Sequence, residues 1–399
     1  MNPSSKTFSV TRDTITFLEA ADALLRDEAI SSASLHEKAR QHLQVFDNPR
    51  CEQYNLLSAE WADSLPSLRN LPEQCENITT RDFIGAMYQT GRELDLRVGA
   101  RYVSAAVCTC AQMLEQHDEL RPERLAQELR ALAFDVWFLQ LWSPFEVIDP
   151  SRGLALEVSK STNQQVMARY VQPRIVTGAV RKDGVYKCLY DVPAINPELL
   201  QVVPIFQRPL TDALHIPGTD DSDMPIDPRR ESELVSDLLT LYFLRSFFEL
   251  DLHVPVDADS PRNCLVLDPP THLAFRQFRW TLRATETPHT YTVKTYGPPG
   301  RYWKGLGETV TFANPHRTGV QSEPPDPDLV RAHATMASIL HHSRLRMAIG
   351  QTEDTYLEPE HSESKARALY RKGGAWTHTH IAKLGKLLHH HHRSGLREV

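Results

Sequence analysis

Asn263 and His272 lie nine positions apart in the stretch NCLVLDPPTHLAF, with an apolar run and an Asp-Pro-Pro corner between them. An amide at the start of a strand and an imidazole in the first turn of the next helix could converge on one small volume. There a divalent metal could hold a scissile phosphate. Cleaving a phosphodiester needs a base for the attacking water, a charge stabiliser at phosphorus and a group that orients the base. The plainer alternative is equally concrete: Asn263 ends a turn after DSPR, and His272 is a helix-start imidazole bonded to main chain.

The elements that must hold these two residues can be read on either side of them. Through residue 145 the chain reads as helical. Ile15, Leu18, Ala21 and Leu25 share a face; a second helical pattern opens at a capping Thr79 or Thr80 and continues to about Gln116. A third begins near Pro122, carries Leu125, Leu129, Leu132, Val136 and Leu139, and stops at Ser143-Pro144. From about residue 166 the texture changes to short strands around the Lys-Asp-Gly turn at 182–184 and an extended ELLQVVPIFQRPL. A helix is expected from about Arg230 to Leu250. Phe278, Trp280 and Leu282, answered by Tyr291 and Val293 beyond a Thr-Glu-Thr-Pro turn, predict a hairpin, and Leu329, His333, Met336 and Leu340 predict a last helix.

In this order the segment from about 168 to 343 resembles the HNH endonuclease domain, a ββα-metal fold, in the version found in many fungal proteins behind a helical N-terminal region. The likeness is carried by RIVTG at 174–178, the Asn263-to-His272 spacing, Phe275, the hairpin HTYTVKTYG and the closing AHATMASILHHS. It implies an α+β protein with a helical domain over 1–165, an HNH-like domain over 166–345 with a helical insertion, and a flexible basic tail over 346–399. It also implies Mg2+ or another divalent metal as cofactor if the chain is active, with His272 as metal ligand and Asn263 as the orienting residue.

Three positions depart from the family's pattern. In the ungapped register the base His is replaced by Pro204, the Cys before the Thr-Gly turn by Arg174, and the acid four residues after the metal His by Arg276. Proline accepts no proton, and loss of a general base costs about 10²- to 10⁴-fold. A second register places His215, in DALHIPG, as the base. The resemblance therefore implies a degenerate nuclease-like protein with a nucleic-acid-binding or regulatory role. Its alternatives are a working endonuclease using His215, Asn263 and His272, and a protein-interaction module acting through the helical N-terminal half.

Bulk composition constrains partners. Net charge is −7, which argues against a broad basic surface that wraps nucleic acid. Residues 365–399 nevertheless carry eight Lys or Arg against one acid, a local +7, so residues 1–364 hold −14. DNA is thus a candidate partner chiefly through the tail. No apolar run approaches the roughly 18 residues of a membrane span, and no secretory signal pattern opens the sequence, so an intracellular protein, nuclear or cytoplasmic, is expected. Six scattered cysteines make neither a zinc knuckle nor a disulfide framework. Cys108 and Cys110 are two apart and do not share a helix face. His253 reads as a helix-end cap, and His333, His341 and His342 as packing or solvent-facing residues. The HHHH run at 389–392 is a weak metal tract, a cloning remnant or plain composition.

Overall fold

The computed structural model describes residues 8–56, 78–145, 158–171, 180–182, 185–187, 201–207, 228–250, 259–296, 309–312, 323–346, 383–384 and 387. The described residues form a mixed α+β protein of many helices and three small antiparallel sheets. His215, His253, Arg174 and the HHHH run lie outside them.

Helices α1 (Thr14–Arg26) and α2 (Ser32–Leu43) pack on α4 (Arg97–Gln116), which is buried along most of its length. The four residues singled out for α1 are all buried. The second helical pattern divides in two: α3 (Thr80–Glu93) and α4 are separated at Leu94-Asp95-Leu96, where Asp95 has φ 53°. Thr79 caps α3 by accepting from the Asp82 amide. The third begins as α5 (Pro122–Arg130), widens into a π-helical stretch over Ala131–Phe138, and closes as α6 (Leu139–Trp142) before Ser143-Pro144. That stretch puts Phe134, Trp137 and Phe138 into the core.

After α7 (Lys160–Val171) come a short hairpin, β1 (Val180–Lys182) and β2 (Val185–Lys187), then β3 (Gln201–Pro204) and α8 (Pro228–Ser246). Cys264–Leu267 forms β4, paired antiparallel with β3 so that Gln201 meets Leu267 and Pro204 meets Cys264. The apolar run needs no alternation, because both faces of β4 are covered. Leu265 and Leu267 enter the main core, while Cys264 and Val266 pack with Val166 of α7. Helix α9 (Pro269–Arg276) follows at once, capped by the Asp268 carboxylate on the Thr271 amide and hydroxyl.

The predicted hairpin is β5 (Trp280–Ala284) with β6 (Thr290–Thr295), extended by β7 (Thr309–Thr311), a strand the alternation did not reveal. Helix α10 (Pro327–His342) packs against both β5 and α3. Its Leu329, His333, Met336 and Leu340 are all buried.

One apolar core runs from Phe8 to Leu387 and takes residues from both sides of position 165. Within it Leu384 is wholly buried, and the neighbouring Lys383 ammonium lies 3.4 Å from Glu19 of α1. Otherwise nearly all of 346–399, read above as a flexible tail, lies outside the described residues. Glu249, at φ 55°, follows α8 and caps α4: its carboxylate accepts from the Val98 and Gly99 amides at 2.8 and 3.1 Å. Gly99 is the residue that permits this approach, since a Cβ there would stand 2.2 Å from the Phe247 carbonyl oxygen. Among the described residues no helix is long and apolar enough to cross a membrane.

Candidate functional site

Asn263 is completely buried and ends a short 3-10 turn immediately before β4. Its side-chain amide closes on the main chain of Phe206: Oδ1 accepts from the Phe206 amide at 2.8 Å and Nδ2 donates to the Phe206 carbonyl at 2.8 Å. This donor-acceptor pairing fixes which way the amide is turned. The Asn263 carbonyl also accepts from the Ile205 amide at 2.6 Å, and its own N–H donates to Ser260. Asn263 therefore acts as a clamp on the chain leaving β3 just after Pro204.

His272 sits in the first turns of α9, its N–H donating to the Asp268 carbonyl. Its Nδ1 is 2.8 Å from Gln201 Oε1 at the start of β3. With the amide oxygen as acceptor, Nδ1 carries the proton and Nε2 keeps the lone pair. Burial, then the charge of Arg276, pushes the imidazole pKa down to about 4, so it is neutral at pH 7.

Asn263 and His272 thus engage the same strand from either end. Gln201 and Phe206 are five residues apart, up to roughly 16 Å of extended chain. Among the described residues the Asn263 amide is closed on the Phe206 main chain and the His272 ring on Gln201, with no hydrogen bond joining the two side chains. Instead a small, half-open hollow, with room for about one water, lies between β3, α9 and the end of α6, lined by Pro204, Gln207, Phe145, Phe275, Arg276 and His333 among others.

Each polar member of that lining has a definite state. His333 is wholly enclosed, stacked on Phe275 with ring centres 3.7 Å apart. Its Nε2 donates to the Phe275 carbonyl at 3.1 Å, which leaves Nδ1 to accept from the Thr281 hydroxyl at 3.1 Å. Burial holds its pKa at about 3, so it is a neutral packing residue. Gln207 is 5% exposed; Nε2 donates to the Pro204 carbonyl at 3.0 Å, and Oε1 has no donor among the described residues. Arg276 makes no ion pair or hydrogen bond among the described residues.

The donors here do not fit a divalent cation. One imidazole is accompanied by a guanidinium one helical turn on and by a proline, where oxygen or nitrogen ligands would be needed. Among the described residues no group of three or more His, Cys, Asp or Glu is placed to share a metal ion. Cys51, Cys108, Cys110 and Cys264 are buried free thiols, and burial raises the Cys108 and Cys110 pKa values.

Gln201, Gln207 and the Phe206 main chain were not marked by the sequence. Nothing in local spacing distinguishes Gln201 and Phe206, because their partners lie 71 and 57 positions away. Comparison with protein families, with curated proteins and with solved structures finds no match for this chain.

Proposed function

We propose that the chain is a divergent relative of the ββα-metal nucleases that has lost phosphodiester cleavage and keeps the unit for nucleic-acid binding or regulation. The observation that carries this reading is the β3–β4–α9 order, in which Asn263 clamps the strand end opposite the helix bearing His272. Pro204 at the position of the base, and Arg276 where the family has an acid, account for the loss of chemistry. A guanidinium facing an open hollow replaces a cation-binding carboxylate with an anion-binding group.

Two assays test the reading. Labelled DNA should bind the full chain with an affinity that falls steeply with salt, and supercoiled plasmid should stay intact with magnesium or manganese. Nicking that disappears in both His215→Ala and His272→Ala would overturn the degenerate reading in favour of the working nuclease. No binding to any DNA at low salt would favour an interaction role for the helical half.

A further inference from the structure

We infer that the end of the β5–β6 hairpin nearest α9, with the residues that close α10, forms a cationic surface for the phosphate backbone of duplex DNA. This inference rests on the nucleic-acid reading above and names where on the folded chain the duplex lies. Residues 276–296 carry four Lys or Arg against one acid, a local +3, and residues 333–346 carry two against none. Together they hold +5 in a chain whose net charge is −7, so the remainder holds −12. Cations gathered in this way against an acidic background make a local field of one sign.

The fold brings the two stretches side by side. The Tyr296 ring, just past β6, is stacked on His341 of α10 with centres 4.1 Å apart, and the Tyr296 amide donates to the Arg279 carbonyl at 2.8 Å. Lys294 stands across the ladder from Thr281, whose hydroxyl meets His333, so its side chain leaves the sheet on the α10 side. Arg346 reaches back to the end of α9, its Nε donating to the Gln277 carbonyl at 3.2 Å. His341 registers the crowding: burial first, then Arg346, His342 and Lys294, push its pKa down to about 4.

The acids nearby are engaged or distant. Glu93 lies between Arg283 at 2.9 Å and His342 at 2.8 Å, and Glu286 sits in the turn at the far end of the hairpin. Among the described residues Arg279, Lys294 and Arg344 make no ion pair, and Lys294 and Arg344 are exposed. The kind of partner follows from what the surface lacks. Its aromatic ring, Tyr296, is covered by His341 and has Lys294 Nζ 6.0 Å from its centre, so it is no platform for a base. Cations without such a platform meet phosphates. A duplex presents its phosphates outward with the bases stacked inside, whereas single strands are held largely by stacking on aromatic rings.

The test uses the full chain. Fluorescence anisotropy is followed with a labelled duplex of about 20 base pairs, and with one of its single strands, from about 50 to 200 mM salt. The expected result is tighter binding of the duplex than of the strand. Lys294→Gln combined with Arg344→Gln should weaken duplex binding about fivefold at low salt. It should also make the slope of log affinity against log salt shallower by about 2. Lys38→Gln combined with Arg50→Gln, the same charge change on exposed residues of the helical half, should leave affinity within about twofold. Duplex binding that persists with Lys365, Arg367, Arg371 and Lys372 all changed to glutamine, and falls when Lys294→Gln and Arg344→Gln are added, would place the contact on this surface.

Duplex binding unchanged by the Lys294 and Arg344 exchange, in a variant that melts as the wild type does, would overturn the surface while leaving salt-sensitive DNA binding standing. A single strand bound more tightly than the duplex would overturn the assignment to duplex. No binding of either DNA, with capture of a polyglutamate peptide that needs Lys294 and Arg344, would overturn both this inference and the nucleic-acid reading. The comparison of duplex with strand needs only the unmodified chain, so it holds even where a variant does not fold.

Discussion

Asn263 and His333 are the residues whose environments make the sharpest demands. Removing the Asn263 amide leaves the Phe206 N–H and C=O buried without partners, so Asn263→Ala should cost about 2–4 kcal/mol in urea-denaturation stability. Asn263→Asp keeps the acceptor but turns an oxygen toward the Phe206 carbonyl. Protonation would let that oxygen donate, which raises the folded-state pKa of the new carboxyl. Its penalty relative to wild type should therefore be smaller at pH 5 than at pH 7. His333 works in the opposite sense. Its folded-state pKa of about 3 lies below the ordinary 6.5, so its contribution to stability is complete above pH 6.5 and is lost as pH falls toward 3. At pH 5 this one residue should already have cost about 2 kcal/mol. His333→Phe should flatten that part of the stability-against-pH curve.

At the scale of elements, the α4 terminus gives a prediction with an internal control. Gly99→Ala drives a methyl into the Phe247 carbonyl and should destabilise by about 2–4 kcal/mol, whereas a Cβ at Gly85, exposed on α3, meets nothing within 4 Å. Gly85→Ala should therefore stabilise by about 0.5–1 kcal/mol; thermal melts of the two variants check both signs. Helix faces were legible in sequence because 3.6-residue spacing is local, and the β5–β6 hairpin because its partners are close along the chain. The α3–α4 break was not, because Leu94-Asp95-Leu96 carries neither glycine nor proline to announce it. Nor was the pairing of Gln201 with Leu267, since no local pattern links strands so far apart. The Asn263-to-His272 spacing did locate a strand, corner and helix. It could not show that the two side chains turn to opposite ends of β3.

At the scale of the whole molecule, the continuous core governs unfolding. Trp137 and Trp142 stand before position 165 and Trp280 after it, and all three are buried in the same cluster. Far-UV circular dichroism and tryptophan fluorescence should therefore report coincident denaturant transitions. Two separated transitions would show that the segments 1–165 and 166–345 melt independently.

The seating of Leu384 and Leu387 bears on how the cationic C-terminal region is to be probed. Cutting the chain at 365 subtracts seven net positive charges and also uncorks an oily socket near α1, so lost DNA affinity in such a shortened protein would have two causes. Exchanging Lys365, Arg367, Arg371 and Lys372 for glutamine, with both leucines retained, lowers the local charge from +7 to +3 and leaves the plug in place.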